Sequence, residues 1–155
     1  MKAERQKPDR QKPVRHNREH MTELFRERLK ALARHDAIAA ANAHAEDGVY
    51  QSPMAGTVIG RGAIAKMYEA WFKGFPDFAL AAEELVVEGD RVIEIGTFSG
   101  TDTGGFMGLP ATGKQFRLPV VSICTVQDGS IAKVRTIYDF TGLLLQVGIL
   151  KAKPI

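Results

Sequence analysis

Residues 128–149 read DGSIAKVRTIYDFTGLLLQVGI, and the fold can be worked out from this stretch outward. Asp128-Gly129 is a two-residue turn signal of the hairpin type, because glycine adopts positive φ at no steric cost. Ser130–Tyr138 is rich in β-branched residues and predicts a strand. Leu143, Leu144, Val147 and Leu150 then recur at helical spacing, which predicts a short helix with one apolar face. Asp139 stands where strand passes into helix, at a junction expected to be buried. A carboxylate there needs hydrogen-bond partners or a raised pKa. Two readings follow: a helix N-cap, with Asp139 or Thr141 accepting a backbone N–H, or an acid of a functional site.

Upstream of the turn the pattern is also that of strands. Gln115–Gln127 reads as one long strand, and residues 78–88 and 91–99 flank the hairpin signal Gly89-Asp90. Residues 100–113 form a glycine-rich segment between them. Before residue 78 the pattern is mainly helical. Residues 19–34 carry the apolar stripe Leu24, Phe25, Leu29 and Leu32 with charges elsewhere. Asp36 can cap a second helix through Ala43, which Asp47-Gly48 follows as a stop. Residues 49–52 read as a short strand, residues 56–62 as a turn-rich loop and residues 63–72 as a third helix. Helices first, then an antiparallel meander, then a closing helix indicate an α+β fold: N-terminal helices packed on one face of a curved, mostly antiparallel sheet. Tyr50, Met54, Trp71, Phe75, Phe98 and Phe106 are the candidate apolar lining if the sheet curls around a pocket, and core residues if it does not.

Length and charge bound the function. The chain has 155 residues, enough for one ordinary domain with a real core. It has no apolar run near the roughly 20 residues of a membrane span and no apolar core of a signal peptide at its N-terminus. The single cysteine, Cys124, excludes an intramolecular disulfide and reads as a small buried hydrophobe. These features fit a cytoplasmic protein. The net charge is +3, concentrated in residues 1–18. There Lys2, Arg5, Lys7, Arg10, Lys12, Arg15 and Arg18 face only Glu4 and Asp9, a net +5, leaving −2 for the remainder. This segment is expected to be a flexible basic tail ahead of one domain spanning residues 19–155. It lacks the interleaved aromatics of a nucleic-acid-binding arm, so neither a nucleic acid nor a membrane is expected as partner.

Several short pieces together resemble a known family. They are Gly60-Arg61-Gly62, Phe75-Pro76-Asp77, Glu88-Gly89-Asp90-Arg91-Val92, Thr101-Asp102-Thr103-Gly104, Gly108-Leu109-Pro110-Ala111-Thr112-Gly113-Lys114, Asp128-Gly129-Ser130-Ile131, and Asp139 with residues 143–148. In this order they resemble the SnoaL-like polyketide cyclases, also called ester cyclases, over residues 19–150. The resemblance implies the cone-shaped α+β barrel of nuclear transport factor 2 and ketosteroid isomerase. It also implies an intramolecular aldol ring closure without metal or organic cofactor, with Asp139 as acid/base. A hydrophobic cavity would raise the pKa of such a carboxylate toward the working pH. Two positions depart from the family pattern: Asp102 stands where histidine is usual, and Arg135 where tryptophan is frequent. Side chains alternate along a strand, so Arg135 and Ile137 share a face with Asp139.

Three functions are compatible with these residues. The first is a cyclase or isomerase with Asp139 as proton carrier, Asp102 as second acid, and Tyr50, Met54, Trp71, Phe75, Phe98, Phe106 and Arg135 contacting an apolar, ring-sized substrate. The second is a hydrolase resembling limonene epoxide hydrolase, with Asp102, Arg135 and Asp139 in place of its Asp-Arg-Asp set. The third is a non-catalytic pocket protein for an apolar small molecule or a partner. No metal site is expected: His16 and His20 have helical i, i+4 spacing but lie in or beside the basic tail with no third ligand nearby, and His35 and His44 are isolated. Neither a phosphate loop nor a nucleophile elbow occurs. Apolar residues on both alternations of Gln115–Val126 predict a homodimer packed through the outer face of the sheet.

Overall fold

The computed structural model describes residues 17–154. Its elements run α1 (Arg18–Ala33), α2 (Ala37–Ala41), β1 (His44–Ser52), β2 (Gly56–Ile59), α3 (Arg61–Gly74), β3 (Ala79–Glu88), β4 (Arg91–Thr101), β5 (Gln115–Gln127), β6 (Ser130–Tyr138) and α4 (Phe140–Gln146). The six strands form one sheet in the order β2-β1-β6-β5-β4-β3. All neighbours are antiparallel except β1 and β6, which lie parallel. The expected α+β architecture is present, and the curved sheet stays open rather than closing into a barrel. Bulges between Ala82 and Glu84 and between Thr125 and Val126 bend it. At the first bulge, Gly96 passes so close to β3 that an added Cβ would lie 2.4 Å from the Ala81 carbonyl oxygen.

Local chemistry explains the element ends. Asn17 caps α1 by accepting from His20 N–H, and Asp36 caps α2 by accepting from Ala39 N–H. Asp77 accepts from both the backbone N–H and the hydroxyl of Thr101 at 2.6 Å, fastening the turn after α3 to the end of β4. Two expectations fail in the first third of the chain. Asp47-Gly48 does not end a helix but lies inside β1, at an irregularity between His44 and Val49. The loop expected at residues 56–62 contains β2 and the start of α3. Residues 1–16 of the basic tail lie outside the described residues, while Arg18, counted with the tail, opens α1.

The inner face of the sheet is built in rungs. Val92, Cys124 and Val134 form one apolar rung across β4, β5 and β6, and Gly96, Val120 and Tyr138 form another. Glu94, Ser122 and Thr136, all buried, form a polar rung between them. This rung divides the interior into two apolar clusters. One contains Met21, Phe25, Ile64, Val92, Cys124 and Val134 beneath the helices. The other contains Trp71, Phe75, Phe98, Phe116, Tyr138 and Leu143.

Candidate functional site

The polar rung is partnered from above by a residue that the sequence pattern concealed. α1 buries Met21, Phe25, Arg28, Ala31 and Leu32, so its inward stripe contains an arginine. The expectation that all its charges face outward is therefore corrected. Arg28 Nη1 donates to Glu94 Oε1 at 3.1 Å, with both side chains almost fully buried. Arg28 Nε donates to the Tyr68 hydroxyl at 3.3 Å, and His44 Nε2 lies 3.2 Å from the same oxygen. Thr136 Oγ1 donates to the Tyr50 hydroxyl at 3.0 Å and lies 3.4 Å from Ser122 Oγ. A buried pair of opposite charges persists only when its geometry and surrounding hydrogen bonds offset lost hydration. Here the pair is held by two helices and the sheet together.

These groups adjoin a cavity lined by Arg28, Leu32, Tyr50, Ser52, Met67, Tyr68, Trp71, Phe78, Leu80, Phe98 and Tyr138. The chain has three tyrosines and one tryptophan, and all four line this space. Its atom-free volume is ≈ 390 Å³, but a water-sized sphere can move through only ≈ 20 Å³ of it. That is room for about one water, so a ring-sized guest must displace part of the wall. Trp71 also lines a shallower, more open groove with Met54, Phe75, Phe106 and residues 104–109. In that groove Gly104 packs on the end of α3, where a Cβ would stand 1.8 Å from the Lys73 carbonyl oxygen.

Burial sets the protonation of the cavity. Desolvation, reinforced by Arg28 and Arg61, lowers the His44 pKa to about 3, so the imidazole is neutral. Desolvation raises the Tyr68 pKa despite the opposing pull of Arg28, and it raises those of Tyr50 and Tyr138. Burial opposes the Arg28 charge, but Tyr68 and Glu94 outweigh it and hold the guanidinium protonated well above its usual range. The Cys124 thiol is pushed up to about 12 by burial.

The expected site residues separate into four places. Tyr50, Trp71 and Phe98 line the inner cavity. Met54, Phe75 and Phe106 line the outer groove with Trp71. The aspartates and Arg135 are elsewhere. Asp139 is exposed and caps α4, its Oδ1 accepting from Gly142 N–H at 2.8 Å. Its expected burial is corrected: strand alternation turns Tyr138 inward and Asp139 outward, and the cap draws the carboxylate to the exposed helix end. Arg135 is exposed on the same outer face. Asp102 is buried and closes the glycine-rich segment, its Oδ2 accepting from Thr112 N–H and hydroxyl at 3.1 Å while Oδ1 has no partner. Thr101 stands opposite Gln115 and Tyr138 opposite Val120. The five-residue offset separates Asp102 from Asp139 by about 17 Å along the strands. An Asp-Arg-Asp set is not assembled here.

Arg28, Glu94, Tyr68, His44 and Tyr138 were missed from sequence. Only Arg28 left a signal, an arginine falling between Phe25 and Leu32 on the apolar stripe. Among the described residues, no group of three or more His, Cys, Asp or Glu is placed to hold a metal ion. No helix among them is long and apolar enough to cross a membrane.

A family model described as SnoaL-like polyketide cyclase matches residues 22–147. Comparison with curated protein sequences gives no match. Among solved structures, TsrD from Streptomyces laurentii is 27% identical with a TM-score of 0.77, the alignment covering 87% of this chain and 99% of TsrD. AclR from Streptomyces galilaeus, described as a candidate hydroxylase, is 25% identical with a TM-score of 0.75, over 89% of this chain and 91% of AclR. A protein of ketosteroid isomerase-like fold from Catenulispora acidiphila, solved with trimethylamine, is 19% identical with a TM-score of 0.72. It covers 81% of this chain and 92% of its own, and it shows the fold alone.

Proposed function

The chain belongs to the SnoaL-like polyketide cyclase family, and from that premise we propose that it is a small cyclase-type enzyme acting on an apolar, ring-sized carbonyl compound in the aromatic cavity. The observation that carries this reading is the convergence of all three tyrosines, the single tryptophan and one buried arginine on one cavity. In an aldol ring closure a carbon next to a carbonyl first gives up a proton to solvent and an enol forms. The enol carbon then bonds to a second carbonyl carbon as the enol C=O reforms and its O–H proton is released, while the second carbonyl oxygen becomes an alkoxide that takes up a proton. The step needs donors aimed at the developing charge.

Tyr68 is suited to this work. Arg28 Nε–H can only donate, so the Tyr68 oxygen accepts from it. His44 Nδ1 is buried without a partner, and an orphaned lone pair is tolerated more readily than an orphaned N–H. The network therefore favours the proton on Nε2, an assignment made from hydrogen bonding. His44 then donates to Tyr68 as well, and the Tyr68 proton is left for a substrate oxygen. The resemblance implies Asp139 as acid/base, but its exposed cap position favours giving the polarising role to Tyr68. The reading requires no metal or organic cofactor.

A cyclic 1,3-dicarbonyl tests it. The rate at which 2-acetyl-1-tetralone exchanges its C2 hydrogen in D2O, followed by NMR, should rise above the buffer rate with the protein. Tyr68→Phe should remove on the order of 10²-fold of that enhancement, and Asp139→Asn almost none. No enhancement by the wild-type protein would refute the enzymatic reading. A second reading, non-catalytic binding of an apolar small molecule, is favoured by the absence of a carboxylate from the cavity lining. It predicts saturable binding of the probe without exchange.

We also propose a homodimer through the outer sheet face. Ile95, Val121 and Ile137 are paired across β4, β5 and β6, as are Ile93 and Ile123 beside Arg135. Glu83, Glu84 and Glu88 lie at the β3 end of this face, and Lys133 and Arg135 at the β6 end. A twofold-related copy sets acidic end against basic end over an apolar centre. Light scattering at micromolar concentration should give twice the chain mass, and a monomeric mass would refute it.

A further inference from the structure

We propose that Tyr138 is a ligand-contacting specificity residue, whose hydroxyl donates a hydrogen bond to an uncharged carbonyl oxygen of a ring-type guest, and that the cavity takes such guests in preference to carboxylates. This rests on the cavity reading and adds to it the residue and the charge class.

Tyr138 ends β6 on the inner face, opposite Val120, and is 8% exposed. Its ring is fixed edge-on by Trp71 at 6.2 Å and 78° and by Phe98 at 5.7 Å and 70°. The hydroxyl has no hydrogen-bond partner within the described structure. The Ser52 side chain and the Met54 backbone act on the hydroxyl as hydrogen-bonding neighbours, opposing the rise in its pKa, but neither completes a hydrogen bond of ordinary geometry. The other two phenol oxygens each accept a hydrogen bond, Tyr50 from Thr136 and Tyr68 from Arg28, with His44 Nε2 also beside Tyr68. A buried hydroxyl without a partner lowers the stability of the empty protein, and phenylalanine would fill the same space. Its partner is supplied by what the cavity holds, the one water it has room for when empty and a guest's oxygen once that water is displaced.

Charge narrows the guest. Arg28 is the one charged side chain among the lining residues, and Glu94 already neutralises it at 3.1 Å. A carboxylate entering this space would add a buried negative charge with no cation left to pair it. An uncharged carbonyl brings two lone pairs and no such penalty.

The test compares 2-acetylnaphthalene with 2-naphthoate, aromatic probes of similar size and different charge, each followed by quenching of Trp71, the single tryptophan. The ketone should bind at least about tenfold more tightly than the carboxylate. Tyr138→Phe should weaken ketone binding about three- to tenfold, as expected for one hydrogen bond. It should leave naphthoate binding unchanged and leave the melting temperature equal or higher. Ketone binding unaltered in Tyr138→Phe, or a lowered melting temperature showing a structural partner, would overturn the role of Tyr138 alone. Equal affinity for the two probes would overturn the charge preference. Failure of both probes to bind would overturn the cavity reading and this inference with it.

Discussion

Asp139→Asn and Asp139→Ala together decide what the residue at the strand–helix junction does. Asp139 accepts one hydrogen bond, from Gly142 N–H at 2.8 Å, from an exposed position. Asparagine offers the same acceptor and caps about as well as aspartate, so Asp139→Asn should alter stability by no more than a few tenths of a kcal/mol. Alanine removes the acceptor and should cost about 1 kcal/mol, or roughly 2–4 °C in melting temperature for a chain of this size. Exchange of the dicarbonyl probe should be nearly unchanged in both variants at temperatures well below melting. The assays are thermal unfolding by circular dichroism and the NMR exchange rate. A loss of about 10²-fold or more in exchange for Asp139→Asn, at unchanged melting temperature, would refute the cap reading and restore the carboxylate as an acid/base.

Two further outcomes test the buried network. Glu94→Gln leaves the Arg28 charge buried without its counter-ion and should cost about 3–5 kcal/mol in urea denaturation, whereas Arg28→Met with Glu94→Leu should recover most of that loss; a cost under about 1 kcal/mol for Glu94→Gln would show that the pair is not buried as described. His44 stays neutral down to about pH 3 when folded, against a reference value of 6.5, so between these values the unfolded chain binds the additional proton. The stabilisation is present in full above about pH 6.5 and declines as pH falls toward 3, by up to about 1.4 kcal/mol per pH unit. Urea midpoints between pH 7.5 and 4.5 should show this slope, and His44→Gln should flatten it; an identical slope in the variant would contradict a buried neutral imidazole.

The second half of the chain was legible because its patterns are local. The turn at Asp128-Gly129 and the strands Gln115–Gln127 and Ser130–Tyr138 stand where the β-branched runs and turn residues place them. The helix after Asp139 buries Leu143 and Val147 of the expected face, although Leu150 is exposed. β1 was foreshortened because Asp47-Gly48 is a strong turn signal, and only long-range pairing with β6 overrides it. The interior polarity was hidden for a similar reason. In β4, Glu94 alternates with Ile93 and Ile95, so the pattern read alone puts the isoleucines inside. The structure reverses this because Arg28 of α1 meets Glu94, a contact between residues far apart in sequence. Asp139 was over-read for the opposite reason: its place between strand and helix is local and clear, but whether such a carboxylate faces the cavity depends on the alternation phase. That phase is set by Val134, Thr136 and Tyr138 pointing inward.

A crystal structure of the chain with 2-acetyl-1-tetralone asks most directly whether the aromatic cavity is the site. The expected result is density for the probe beside a displaced part of the cavity wall, with a carbonyl oxygen about 2.7 Å from the Tyr68 hydroxyl. Probe density at Asp139 or Asp102, with the cavity between Tyr50, Tyr68 and Tyr138 still closed, would contradict it.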